Sequence, residues 1–299
     1  GDVVRQSERG VAYGSFLVRQ PPSTYGSAKE LDHCVYLGPL RQWPQSPDAA
    51  FEVAAGPLGG TRPSGLTAIE VVGHELGHHW LMYAAHDAAD GRGLQAMFRA
   101  DPRDPEQSDL PKVSAAELHY SHLAGSGSVM YGNFITPLGG GMFKLEGGAR
   151  KYGPLDQYLM GLRGAHETPP LLVVDDGAQR GLAGTPLSPG QTEVVSGARV
   201  DVPVDDVIRA LGPRVPAYPD TQRCFRMAFV LVTHPGHTAT AQELALVEGY
   251  RQRWEQWFHW ATDGRGSADT RLSPADPCPV EPVDLMPATE RGIETAALP

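Results

Sequence analysis

The feature that most constrains the fold is a helical pattern that begins at Thr67. Thr67 and Glu70 have the spacing of a capping box, in which each side chain accepts a hydrogen bond from a backbone N–H group of the other residue. Apolar residues then recur at a helical spacing, at Ile69, Val72, Leu76, Trp80 and Tyr83. The pattern predicts one amphipathic helix over residues 67–88, with Gly91 beyond it as a stop signal.

This predicted helix contains the sequence His-Glu-Leu-Gly-His at positions 74–78. Residues four apart lie about one helical turn from each other, so the imidazoles of His74 and His78 can both reach one tetrahedral ion. Glu75 is placed beside them to take a proton from a metal-bound water. The motif therefore predicts a Zn²⁺ site with His74 and His78 as ligands and Glu75 as the general base.

The third zinc ligand is not fixed by this motif. A catalytic zinc has three protein ligands and one open position for water. The long metzincin signature would continue with Gly and His, but the corresponding residues here are Leu81 and Ala84. A glutamate about twenty residues after the motif, as in thermolysin, is also absent from residues 94–100.

Asp156 and Tyr158 provide one candidate for the rest of the site, within a turn of each other in residues 152–161. The pair resembles the Asp-then-Tyr arrangement of aspzincin (deuterolysin-type) metallopeptidases. That resemblance implies that Asp156 is the third zinc ligand and that Tyr158 helps to stabilise the oxyanion. The spacing departs from the family pattern, since 77 residues separate His78 from Asp156. Asp156 as an ordinary carboxylate at a helix N-terminus remains the alternative.

His119 and His122 provide a second candidate, because Ser-Val-Met-Tyr follows them at 128–131. Ser-x-Met-Tyr is similar to the methionine turn below the zinc of metzincins, which implies that Met130 lies beneath the metal. His119 or His122 is then a third ligand or a donor to the developing oxyanion. His86, twelve residues after His74, is expected to face solvent.

Together these motifs resemble the zincin group of zinc metallopeptidases. The wider pattern, with Pro-Leu-Asp-x-Tyr-Leu-Met-Gly at 154–161 and Ala-Thr-Asp-Gly-Arg-Gly at 261–266, is similar to secreted bacterial proteins that carry the same motifs. The resemblance implies a zinc-dependent endopeptidase, secreted or periplasmic, that acts on a protein or peptide substrate. The alternative is a non-catalytic binding or scaffold protein with a structural zinc held by His74, His78, His119 and Asp156.

The charge balance limits the possible partners. The chain has 25 basic and 35 acidic side chains, a net charge of −10, which argues against binding to nucleic acid or to an anionic membrane. No apolar run approaches the ~20 residues that a spanning helix needs. We therefore expect no nucleic-acid or membrane partner, and a monomer. The three cysteines allow at most one disulfide.

For the whole chain the sequence predicts an α+β fold. A zincin-like mixed sheet from the N-terminal region is expected to flank the His-Glu-x-x-His helix, and a helix over residues 240–261 to form a C-terminal layer. The predicted organisation is a catalytic region at 1–165, an α+β subdomain at 166–272 and a Pro-rich tail at 273–299. The smaller predicted elements are helices over 114–122, 155–162 and 205–211, a buried strand over 226–233, and loops over 124–148.

Overall fold

The computed structural model of the chain describes residues 4–6, 14–17, 33–54, 61–81, 84–91, 95–96, 119–176 and 187–271. These residues form both helices and sheets, so the predicted α+β class is confirmed. The predicted tail at 273–299 lies outside the described residues. No helix in the described part of the chain is both long and apolar enough to cross a membrane.

The chain divides into two compact units, residues 1–221 and 222–299. The division falls after Thr221, whereas the predicted catalytic region covers residues 1–165. The reason is that residues 171–202 pair with earlier parts of the first unit: Val174 donates to the carbonyl of Leu123, and the strand at Thr192–Ser196 pairs with the strand at Met142–Glu146.

The first unit contains three α-helices among its described residues: α1 (Ala68–Gly77), α2 (Pro154–Leu159) and α3 (Val204–Leu211). Its strands are β1 (Val4–Gln6), β2 (Gly14–Leu17), β3 (His33–Tyr36), β4 (Ala50–Ala54), β5 (Thr61–Thr67), β6 (Ala85–His86), β7 (Gln95–Ala96), β8 (Phe134–Gly139), β9 (Met142–Glu146), β10 (Leu171–Asp175), β11 (Thr192–Ser196) and β12 (Ala198–Val202). They form small antiparallel sheets, β1-β2-β3, β4-β5, β6-β7, β11-β9-β8 and β10-β12, instead of one mixed sheet.

Helix α1 begins where the sequence predicts. The Thr67 hydroxyl accepts a hydrogen bond from the Glu70 backbone N–H at 3.4 Å, and the Glu70 carboxylate accepts one from Thr67 at 2.7 Å. The helix ends at Gly77, so the predicted extension to residue 88 is wrong. After Gly77 the backbone tightens into bonds between residues three apart, such as Trp80 to Gly77, and glycine itself is a weak helix former. His86 then lies buried on β6 and does not face solvent as expected.

Residues 124–148 are not the continuous loop that their glycine content suggests. They contain the hairpin of β8 and β9, and the side chains of Phe143 and Leu145 are buried in a cluster with Leu123 and Val174. The three glycines at 139–141 lie at the turn of this hairpin and all have positive φ angles. Glycine adopts this backbone conformation more readily than other residues, because it has no Cβ atom. The glycines therefore lie at the turn, and the register of the paired strands shifts next to it, between Pro137 and Gly139.

Buried Arg150 joins α1 to the segment that follows β9. Its backbone N–H donates to Glu70 Oε1 at 2.6 Å, and its guanidinium donates to the carbonyls of Gly65, Gly132 and Leu187. These bonds satisfy carbonyl groups from three separate parts of the first unit. The position of the N-terminal half of α1 is thereby fixed.

The second unit contains β13 (Cys224–Arg226), α4 (Ala241–Ala261) and β14 (Ser267–Asp269), with β13 and β14 parallel. Helix α4 is confirmed, begins with a capping box on Thr240, and buries Trp254, Trp257 and Phe258. The predicted buried strand over 226–233 is wrong. Because β14 offers three residues to pair with, regular pairing stops at Arg226, and Val230 and Val232 are 76% and 85% exposed.

Two further predicted helices are present, and each begins one residue earlier than predicted, α2 at Pro154 and α3 at Val204. Helix α3 ends at Leu211 as predicted, whereas α2 ends at Leu159, three residues before the predicted end. The predicted helix over 114–122 is wrong in its described part, because residues 119–122 form no helix; residues 114–118 lie outside the described residues.

Replacing Arg150 tests how far the fold depends on its hydrogen bonds. We expect Arg150→Lys to lower the free energy of unfolding by about 2–4 kcal/mol, since an ammonium group cannot satisfy the same spread of buried carbonyls. The measurement is urea unfolding followed by circular dichroism. Arg199→Lys, at an exposed arginine paired with Asp201, is the control and should leave the stability unchanged. Equal stability of the two variants would contradict this account of Arg150.

Candidate metal centre

Three buried histidines converge in the first unit. His74 lies on α1, His78 caps the C-terminal end of that helix, and His119 precedes the segment that leads to β8. One ligand nitrogen from each ring lies within 4.8 Å of the others, and this is the one group of three or more His, Cys, Asp or Glu side chains among the described residues that is suited to a metal ion. The predicted ligands His74 and His78 are therefore brought together, with His119 as the third member.

The tautomer of His74 follows from its hydrogen bond. Its Nδ1 lies 2.7 Å from the carbonyl oxygen of Val129, and a carbonyl can only accept, so Nδ1 carries the proton. The other nitrogen, Nε2, then presents its lone pair 3.0 Å from Nε2 of His119. Metal-ligating histidines are held in this way, with one nitrogen bound to a backbone carbonyl and the other directed at the ion.

The donor set is suited to a metal ion. Ligand atoms that share a tetrahedral zinc at about 2.0–2.1 Å lie roughly 3.3 Å from each other. The two Nε2 atoms of His74 and His119 are already near that spacing at 3.0 Å. The remaining separations, at most 4.8 Å, need to close by no more than about 1.5 Å for the three nitrogens to surround one ion. Three histidines are thus positioned to hold a metal.

Backbone hydrogen bonds place His119 beside α1. Tyr120, its neighbour, donates its N–H to the carbonyl of Met130 at 2.8 Å, and Val129 donates to the carbonyl of Lys151 at 3.1 Å. Met130 is buried against the helix: a Cβ atom added to Gly77 would lie 2.7 Å from its sulfur. The glycine between the two helix histidines therefore allows the segment with Met130 to approach α1 closely.

Tyr131 is a site residue that the sequence did not indicate. Its ring stacks on the rings of His74 and His119, with centroids 4.5 Å and 4.2 Å away. Its φ of 77° lies in the left-handed region, which is strained for an aromatic residue. The neighbouring Met130 drew attention to this segment, but no residue pattern predicts which way a side chain points after a strained backbone turn.

Glu75 is half-buried next to His74, and burial raises its pKa to about 7. Burial likewise lowers the pKa of His74 to about 4, against the hydrogen bond to Val129, which favours the charged ring. A nearby cation would move the pKa of Glu75 downwards. Glu75 therefore remains the candidate base of the motif. A general base is most effective when its pKa lies near the working pH, and the pKa of Glu75 is close to neutral pH.

The described structure does not bring Asp156, which the resemblance implied as the third ligand, into the histidine cluster. Its Oδ1 accepts a hydrogen bond from the hydroxyl of Tyr120 at 2.8 Å, and its Oδ2 accepts one from the backbone of Gly153 at 2.8 Å. The Ser128 side chain also hydrogen-bonds this carboxylate. With these donors in place the carboxylate is directed at the surrounding segments, and His119 takes the third position.

Tyr158 and His122 are also directed elsewhere. The Tyr158 hydroxyl accepts a hydrogen bond from the Arg214 backbone at 3.2 Å, and its ring lines a cavity of about 240 Å³ beside α3. His122 lies 2.8 Å from Glu193 through Nε2 and 3.0 Å from the Asn133 amide through Nδ1. Neither is in the histidine cluster, so among the two candidate histidines the geometry favours His119.

Comparisons with known proteins add no relative. No protein-family model matches the chain, and neither the curated proteins nor the solved structures include a match. We therefore infer the function from the residues of the site themselves.

Removing His119 tests the metal centre directly. We expect His119→Ala to weaken Zn²⁺ binding by more than the roughly 100-fold that loss of an outer-shell partner can cost, because a ligand itself is lost. The measurement is competition with a chromophoric chelator. His122→Ala is the matched control, three residues away, and should bind Zn²⁺ like the wild type. The reverse order of the two affinities would contradict the ligand assignment.

The carboxyl group of Asp156 should give the metal-free protein a distinct pH dependence. Burial raises its pKa to about 6 from 3.8, so between these values the folded state holds a proton that the unfolded chain has lost. The contribution of this group to the free energy of unfolding therefore falls as the pH rises. The destabilisation caused by Asp156→Asn should be about 2 kcal/mol larger at pH 4.5 than at pH 7.5, measured by urea unfolding. A cost that grows with pH would contradict the raised pKa.

Proposed function

We propose that the chain is a zinc-dependent endopeptidase of the zincin class, with His74, His78 and His119 as the protein ligands and Glu75 as the general base. The observation that carries the proposal is the approach of His119 to the two helix histidines, which completes a set of three imidazoles beside a glutamate. Three protein ligands with room for one more group is the arrangement of catalytic zinc, whereas structural zinc has four.

Zinc is the ion that these residues favour. Imidazole nitrogens suit zinc, copper, iron and nickel, while carboxylate and carbonyl oxygens suit magnesium and calcium. When bound, zinc lowers the pKa of water and polarises a carbonyl group. The choice among the imidazole-binding metals remains part of the proposal.

The protein residues have separate tasks in this proposal. His74, held by Val129, keeps the lone pair of Nε2 directed at the ion. Glu75 accepts a proton from the attacking water and then donates it to the leaving amine. His119 serves as a ligand, so it is not proposed as the oxyanion donor. Tyr158 is not proposed in that role either, because its hydroxyl is bound to Arg214.

The substrate class, the compartment and the partners of the protein are also proposals. We infer a protein or peptide substrate and a secreted or periplasmic location. Cys224 is disulfide-bonded, and disulfides persist in oxidising compartments, which supports such a location. The net charge of −10 supports the absence of nucleic-acid and anionic-membrane partners, and the monomeric state stays a prediction.

The scaffold alternative with a closed zinc site is less well supported. It requires a fourth protein ligand, and the sequence offered Asp156 for that position. The hydrogen bonds from Tyr120 and Gly153 to this carboxylate speak against such use. Coordination by three histidines leaves a position for water, which favours catalysis over a purely structural ion.

Replacing Glu75 separates the catalytic role from metal binding. We expect Glu75→Gln to retain Zn²⁺ and to lose roughly 10²–10⁴-fold in kcat for cleavage of casein or a quenched peptide library, because the amide cannot accept the proton. Glu193→Gln, at an exposed carboxylate paired with His122, should keep full activity. A zinc-loaded wild type that cleaves no peptide, or an active Glu75→Gln variant, would overturn the endopeptidase proposal.

A further inference from the structure

We propose that Asp156 is a positioning residue of the metal centre, which holds in place both the residue next to His119 and the residue next to Val129. The inference rests on the proposed metal centre and deepens it, but it does not depend on peptidase activity. It replaces the predicted role of Asp156 as a ligand with an indirect one. The carboxylate acts on His119 through Tyr120, and on His74 through Ser128 and Val129.

The first connection runs through Tyr120. The Tyr120 hydroxyl donates to Asp156 Oδ1 at 2.8 Å, and both side chains are fully buried or nearly so. Tyr120 follows His119 directly in the chain, and its backbone N–H is bound to the carbonyl of Met130. A residue held at its side chain and at its backbone has little freedom to rotate, so the neighbouring backbone of His119 is held as well.

The second connection runs through Ser128. Its side chain hydrogen-bonds the Asp156 carboxylate, and its Oγ accepts the backbone N–H of Met130 at 2.9 Å. Because Oγ accepts from Met130, the hydroxyl proton is the one that reaches Asp156. Ser128 and Met130 flank Val129, whose carbonyl orients His74. Asp156 therefore stabilises the backbone that sets the tautomer of His74.

A carboxylate suits this position better than an amide. Tyr120, Ser128 and Gly153 all present donors, and a carboxylate is the side chain that has acceptors only. An asparagine in the same place would direct an NH₂ group at one of these donors. The other phenol near this carboxylate, that of Tyr152, donates its hydroxyl to the carbonyl of Gly73 on α1.

A role in capping α2 does not account for these contacts. The bond from Gly153 to Oδ2 satisfies the helix start by itself. The bonds to Tyr120 and Ser128 reach into the segment that carries the site, and they are unnecessary for a cap. The two roles therefore predict different consequences for metal binding.

The test compares Zn²⁺ affinity, measured by chelator competition at pH 7.5, in Asp156→Asn, Tyr120→Phe and the double variant. We expect each single variant to bind Zn²⁺ about 10–100-fold more weakly, the range for loss of an outer-shell partner. The double variant should lose clearly less than the product of the two, because both substitutions remove the same bond. The visible absorption bands of the Co²⁺-substituted variants should shift relative to wild type, which a change in stability alone would not produce.

Glu167→Gln is the matched control. Glu167 accepts the backbone N–H of Gly164 at 3.1 Å, as Asp156 accepts that of Gly153, and it lies in the short turn Ala165–Glu167 outside α2. This variant should keep the wild-type Zn²⁺ affinity and Co²⁺ spectrum. If Asp156→Asn does not fold, Tyr120→Phe and Ser128→Ala still test the two connections one at a time.

The outcomes are distinct. Unchanged Zn²⁺ affinity and Co²⁺ spectra in Asp156→Asn and Tyr120→Phe would overturn the positioning role, and so would strictly multiplicative losses in the double variant. A wild type that binds Zn²⁺ but cleaves no peptide would end the peptidase proposal and leave this inference intact, because affinity is measured without substrate. A wild type that binds no Zn²⁺ would overturn both.

Discussion

The hydrogen bond between His74 Nδ1 and the carbonyl of Val129 is the contact on which the candidate centre depends. It joins α1 to the segment that contains Met130 and brings the lone pair of Nε2 towards His119. Residues 150–152 hold the same two parts together from the other side: Arg150 donates to Glu70, Lys151 accepts from Val129, and Tyr152 donates to Gly73. Hydrogen bonds therefore connect the helix and the segment on both sides of the three imidazoles.

Buried carboxyl groups differ in how their burial is compensated. Glu70 and Asp156 have pKa values raised by burial, yet both accept hydrogen bonds that favour the charged form. For Glu75 burial is the one cause of the raised pKa. Even a half-buried carboxyl group without such compensation is costly to ionise, and perturbed groups of this kind are concentrated at functional sites. This contrast supports a chemical role for Glu75 over a structural one.

Local signals in the sequence predicted the local structure well. The capping box at Thr67 correctly marks the start of α1, because a cap involves only residues three apart. The pair His74 and His78 was found for the same reason. The end of α1 was missed, because the apolar spacing continues to Tyr83 while the backbone leaves the helix at Gly77, a weak helix former.

The third member of the histidine cluster was also not determined by local signals in the sequence. Asp156 and His119 both had suitable chemistry, and the choice between them depends on how the chain brings His119 back to His74, which lies 45 positions earlier. The sequence correctly placed Asp156 near the histidine site, where Tyr120, the neighbour of His119, donates to it. Its carboxylate is bound by Tyr120 and Gly153, outside the histidine cluster. A resemblance to a motif can therefore identify Asp156 as a residue of the site, but it does not determine whether the carboxylate binds the ion or a residue next to a ligand.

The most direct measurement is anomalous diffraction at the zinc edge from crystals of the zinc-loaded protein. The account predicts one strong peak about 2.0–2.1 Å from a ring nitrogen of each of His74, His78 and His119, with the carboxylate of Asp156 outside bonding distance. A peak bound by Asp156 in place of His119, or no peak between the three rings under saturating zinc, would contradict it.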